Sequence, residues 1–138
     1  MGTRSLTYVY DTDNTPVVCM YRQYDGYMEG HGLELAEFLS PLAVVNGLGA
    51  KSEKVANGMG CLAAQMVAHF KDGAGQFYLH APVLGQDCCQ DYEYHVFKDT
   101  VRVISIGSNN DTVVFDDNWE QFHSVCLTKS IQYQERFA

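Results

Sequence analysis

The chain has 138 residues, with seventeen Asp and Glu against nine Lys and Arg, a formal net charge of −8 and a pI near 4.9. That length fits a single domain, 1–138, able to bury roughly 68% of its unfolded surface without help from a disulfide or a metal. The acidic balance repels phosphates and so excludes nucleic acid as the expected main partner.

The elements read in chain order as follows. Residues 5–10 are rich in β-formers and predict a strand. Asp11 to Pro16 is a turn by composition. A calcium reading of its acids fails, because an EF-hand loop opened at Asp11 needs Gly at Pro16 and Glu at Arg22. Residues 17–24 predict the second strand of a hairpin. A glycine-rich loop, 25–32, leads into a helix at 33–39, where Leu35, Phe38, Leu39 and Leu42 share a face. Ser40-Pro41 ends this helix and offers the start of a second short one, ending at Gly47. Residues 46–58 read as a loop.

The clearest helix follows at 58–71. Met59, Leu62, Ala63, Met66, Val67 and Phe70 make one continuous apolar stripe, with Asn57 as candidate N-cap. Strands are expected at 76–81, 92–97, 101–106 and 112–115, with an irregular loop between Pro82 and Asp91. Asp117 and Glu120 form a capping-box pattern ahead of a helix at 118–126. The tail 127–138 is open between helix and edge strand. Short turns between consecutive strands imply an α+β fold, an antiparallel sheet of five or six strands packed against two main helices.

Five cysteines (Cys19, Cys61, Cys88, Cys89 and Cys126) form no even-numbered framework. No signal-like segment opens the chain, and no apolar run approaches the roughly 20 residues of a membrane span. The expected setting is therefore the reducing cytoplasm, without membrane contact.

Functional groups concentrate in residues 21–32. Gly26, Gly30 and Gly32 permit unusual backbone paths. His31, between two glycines ahead of a helix, is a candidate general base. Arg22 is a candidate clamp for a carboxylate or phosphate, and Asp25 a candidate partner to orient His31. Tyr24 and Tyr27 supply contact area with polar tips. Each also has a structural reading: Gly-His-Gly as a tight turn, Arg22–Asp25 as an ion pair, the tyrosines as the rim of a sheet. Cys61, in the first turn of the main helix, is a candidate nucleophile if folding brings His31 beside it. Cys88 and Cys89 lack the spacing of a metal site, so no metal and no cofactor are expected. His69, His80, His95 and His123 read as surface or interface histidines.

The run Tyr21-Arg22-Gln23-Tyr24-Asp25-Gly26-Tyr27, two residues, then Gly30-His31-Gly32 and, from Glu34, Glu-Leu-Ala-Glu-Phe-Leu, resembles a family of small uncharacterised proteins from bacteria, phages and environmental sequences. The resemblance continues through 45–47, 57–65 and 92–94. Related sequences often carry proline where this chain has Met28. That family has no assigned activity, so the resemblance marks the loop without carrying over a catalytic residue.

Two functions are expected from these residues. The first is a non-enzymatic accessory protein, of a phage or mobile element, that binds a protein partner or a small ligand through 21–32, with homo-oligomerisation through a sheet edge or the aromatic surface. The alternative is a small hydrolase or transferase with His31 as base, Cys61 or Asp25 beside it and Arg22 holding an anionic substrate. The enzyme requires His31, Arg22, Asp25 and Cys61 to converge on one pocket, and the binding protein requires exposed tyrosines.

Overall fold

The structure, a computed structural model, describes residues 2–47 and 54–137. Strands β1 (Ser5–Tyr10) and β2 (Pro16–Arg22) form the expected hairpin. A π-helical turn (Met28–Gly32) runs straight into α1 (Leu33–Leu39). Next come β3 (Ala43–Val45), β4 (Val55–Asn57) and α2 (Gly58–Phe70). The remainder is β5 (Phe77–His80), β6 (Tyr92–Phe97), β7 (Thr100–Ser105), β8 (Thr112–Asn118) and α3 (Trp119–Phe137).

Six strands make the main sheet in the order β5-β2-β1-β6-β7-β8. The α+β architecture is thus as read from the pattern, with one difference at its centre: β1 pairs with β6 in parallel, Ser5 opposite Tyr92 and Val9 opposite Val96. The hairpin and the β6–β7–β8 meander are each local and antiparallel, joined by a pairing between residues far apart in sequence. β5 closes the other edge against β2.

Alternation along the strands sorts the side chains. Thr7, Val9, Met20, Arg22, Tyr94, Val96, Val101 and Val103 turn toward the helices and join the main core with Leu35, Leu39, Leu62, Met66 and Phe122. Leu6, Tyr8, Tyr10 and Cys19 turn to the opposite face and form a second buried cluster. Among the described residues no helix covers that face; residues 81–91 do, through the hydrogen bond from Tyr8 Oη to the Val83 carbonyl at 3.0 Å. The central strand β1 is therefore buried along its whole length.

Three local readings change. Residues 43–45 form a strand instead of a second short helix, pairing in parallel with 55–57 of the stretch read as loop. β-branched Val44 and Val45 favour this, and the Ala43 amide donates to the Lys54 carbonyl. Residues 48–53 of that same loop reading lie outside the described residues. The tail continues α3 to Phe137, since 127–137 holds Lys, Gln, Glu and Arg but neither glycine nor proline. Finally, Asp117 belongs to β8, and Asn118 caps α3 by accepting the Gln121 amide at 2.8 Å.

That last geometry is testable. Asn118→Ala should cost about 1 kcal/mol in urea denaturation. Asp117→Ala, at an exposed position that does not accept the helix's own amides, should cost less. The reverse ranking would restore the cap read from the sequence.

Candidate functional site

The 21–32 segment begins where β2 ends. Arg22 lies on the helix-covered side of the sheet, so its side chain enters the core, where it is only 3% exposed. A guanidinium there must find acceptors. Nε donates to the Tyr24 carbonyl at 2.8 Å, Nη1 to His31 Nδ1 at 3.2 Å and Nη2 to Glu34 Oε2 at 3.2 Å. Its plane also lies over Phe77, 5.1 Å from the ring centre. Arg22 pairs with Glu34 of α1 and not with Asp25.

His31 has no exposed surface. Because Nδ1 accepts from Arg22, the ring proton sits on Nε2, which donates to Thr7 Oγ1 at 2.8 Å. The ring packs against Phe70, Phe77 and, edge-on at 5.0 Å, Tyr94. Burial, aided by the neighbouring Arg22 charge, pushes its pKa down to about 3. His31 is thus a neutral, saturated member of the core. With both nitrogens engaged and no solvent path, it does not present the accessible lone pair that a general base needs.

The glycines have packing reasons. A Cβ at Gly26 would sit 2.9 Å from the backbone of Arg4, and one at Gly30 would sit 2.6 Å from the Asp25 carbonyl. Asp25 itself takes a left-handed φ of 61°, which Asp tolerates better than most residues. Its carbonyl accepts the His31 amide at 2.8 Å, so Asp25 orients His31 through the backbone. Its carboxylate instead accepts from Tyr27 Oη at 3.2 Å. Tyr94 Oη, donating to the Gly26 carbonyl at 2.7 Å, pins the loop from β6.

Cys61 stands apart. It is half-buried on the first turn of α2, with Sγ directed at Gln65 Oε1. His31 packs near Phe70, nine positions and about 13 Å further along the same helix. The structure does not bring Cys61 and His31 together. A cavity of about 320 Å³ lies among Asp11, Asn46, Met59 and Lys98, and one of about 280 Å³ beside Glu93, Asp87 and Asp111. Neither is lined by His31, Arg22 or Cys61. Among the described residues, no group of three or more His, Cys, Asp or Glu is placed to hold a metal. No helix there is long and apolar enough to cross a membrane.

The outer surface of the same segment is different. Tyr24 is 43% exposed. Tyr27, half-buried, stacks on Tyr133 of α3 at 6.2 Å, and Tyr133 packs on Phe137 at 4.8 Å. Tyr133 and Phe137 are exposed, and Glu29, Lys129, Gln132 and Arg136 surround Tyr133. This half of the surface is not evident from the sequence, where 127–138 is open between helix and edge strand; the i, i+4 spacing of Tyr133 and Phe137 is its available signal.

A second polar chain lies on the opposite face of the sheet, beside Tyr8 and Tyr10. Tyr10 Oη donates to His95 Nδ1 at 2.6 Å, which leaves His95 Nε2–H to donate to Glu93 Oε1 at 3.0 Å. Gln90 donates to the other carboxylate oxygen at 2.9 Å. Tyr8 stacks flat on the His95 ring at 5.2 Å. His95 is buried and not a surface histidine. The period-two pairs Tyr8/Tyr10 and Glu93/His95 were visible, but the parallel pairing that joins them was not. Hydrogen bonding from His95 holds the Glu93 carboxyl below its usual range, and burial lifts the Tyr10 phenol to about 12.

Comparison with protein families, curated proteins and solved structures returns no match. The roles of these residues therefore rest on their geometry.

The His31 environment has a pH signature. The unfolded chain takes up a proton near pH 6.5 that the folded chain refuses until about pH 3, so stability falls as pH drops through this window. The slope from this group approaches about 1.4 kcal/mol per pH unit. His31→Gln should be less stable at pH 7, and its deficit should shrink toward pH 4; parallel wild-type and variant curves would mean that His31 protonates freely in the fold. Thr7→Val keeps the side-chain shape and strands the Nε2–H, and should cost about 1–3 kcal/mol in the same assay.

Proposed function

We propose that the protein is a non-catalytic binding protein. It engages a protein partner through the surface made by the Tyr24–Glu29 turn and the second half of α3. The resemblance of the 21–32 run to small bacterial and phage proteins fits an accessory protein of a phage or mobile element.

The observation that carries this reading is the Tyr27–Tyr133–Phe137 ring ladder. These rings gather where two distant segments meet, outside the core, with Phe137 at 67% exposure. Rigid aromatic side chains offer large contact area at small entropic cost, and they dominate protein interfaces. Glu29, Lys129 and Arg136 set both charge signs around the rings, as in the polar rim of an interface. The depression at Tyr133 holds only about 160 Å³, below the roughly 300–1,000 Å³ of small-ligand sites, which favours a protein over a small molecule. The buried Arg22 network beneath holds the turn in place, so little order has to be gained on binding.

The test compares two surface variants in extract from the protein's native cells. Tyr27→Ala/Tyr133→Ala/Phe137→Ala, with unchanged circular dichroism, should lose the wild-type binding partner by about tenfold or more. Tyr78→Ala/Leu79→Ala, at the exposed edge β5, should retain it. Retention by the first variant, or loss by the second, would refute the assigned surface.

A further inference from the structure

The sheet face opposite the helices α1, α2 and α3 carries chemistry that the binding surface does not use. Cys19 on β2 is fully buried there, within the cluster of Leu6, Tyr8 and Tyr10. Residues 81–91 pass over this cluster. Tyr8 Oη ties the segment down at the Val83 carbonyl. Gln86 donates to the carbonyls of Ala81 and Val83, and Gln90 to that of Gln86 and to Glu93. Cys88, held by its amide donating to Gln90 Oε1 at 2.8 Å, is half-buried and packs into the cluster that contains Cys19. Both are free thiols. The neighbouring Cys89 is exposed, on a left-handed backbone with φ of 58°. Cys126 is elsewhere, buried in the main core on the helix-covered side, and Cys61 lies on α2.

We propose that Cys19 and Cys88 form a redox pair. A low-molecular-weight disulfide oxidises them to an intramolecular disulfide that fastens the 81–91 segment to the sheet.

The exchange runs in two balanced steps. The Cys88 thiolate attacks one sulfur of the small disulfide, RSSR; its S–S bond breaks, and RS⁻ leaves and takes up a proton. Cys19 then loses its proton and attacks the Cys88 sulfur of the mixed disulfide, expelling the second RSH. Two protein thiols are oxidised, one RSSR is reduced to two RSH, and no other reagent is needed. Burial raises the Cys19 thiol to about 11, and burial followed by the Asp87 charge raises that of Cys88, so the thiolates are scarce at neutral pH. Closure is accordingly slow near pH 7 and faster in alkali. Cys89, although more exposed, is not part of the buried cluster and is not the expected partner.

The experiment uses the full chain and oxidised glutathione between pH 7 and 9. Free thiols are then alkylated, and the unreduced protein is digested for mass mapping. A loss of about 2 Da with Cys19 and Cys88 in one linked peptide is expected. It should form faster as pH rises and survive in Cys89→Ser and Cys61→Ser. In Cys88→Ser, which leaves the buried Cys19 intact and so keeps the fold, Cys19 should remain reduced. Glutathione retained on Cys88 without closure, a Cys88–Cys89 link, closure unaffected by Cys88→Ser, or no reaction at pH 9 would each overturn the pairing.

Discussion

Everything in the 21–32 segment depends on one buried cation. Arg22 enters the core because β2 places it on the helix-covered side of the sheet, and a guanidinium taken from water must be met by acceptors. It draws them from three places: a carbonyl two residues on, a ring nitrogen in the π-helical turn and a carboxylate on α1. To reach all three, the chain has to double back closely. The tight approaches at Gly26 and Gly30 and the left-handed Asp25 lie along that path. The same cation makes His31 Nδ1 an acceptor and so directs Nε2–H to Thr7 of the central strand. Strand, turn and helix are thereby joined through a single side chain.

This inward commitment divides the segment in two. Groups that look reactive in sequence, Arg22 and His31, are spent on architecture. Tyr24, exposed, and Tyr27, half-buried, remain at its surface. There Tyr27 meets α3, which extends about 16 Å beyond its last buried residue, Cys126. The opposite sheet face carries its own buried chain of Tyr10, His95 and Glu93, covered by an irregular segment where an α+β sheet often has solvent. Burial of the sheet's centre on both faces explains why β1 shows no alternation of buried and exposed residues.

Much of the fold was legible because its causes are local. The Met59–Phe70 stripe specifies α2 by its period, and Asp11–Pro16 specifies the first hairpin by its turn chemistry. The short β3–β4 pair was not legible, since three-residue strands have no period to detect and depend on each other across a loop. The end of α3 was ambiguous for a different reason: half of it is exposed, so burial writes little pattern into its sequence. The density of functional groups at 21–32 is legible in the sequence, while the inward or outward direction of each group is not.

Residue type and local spacing by themselves determined the α+β class, most strands and helices, and the chemical richness of the glycine loop. Only the tertiary structure decided that β1 and β6 lie side by side, that Arg22 chooses Glu34 over Asp25, that His31 is sealed, and that Cys61 is remote from it. The reason is physical. Periodicity and turn propensity act over a few residues, whereas burial and hydrogen-bond partnership depend on which distant segments meet, and a histidine's chemistry is set by that second kind of information.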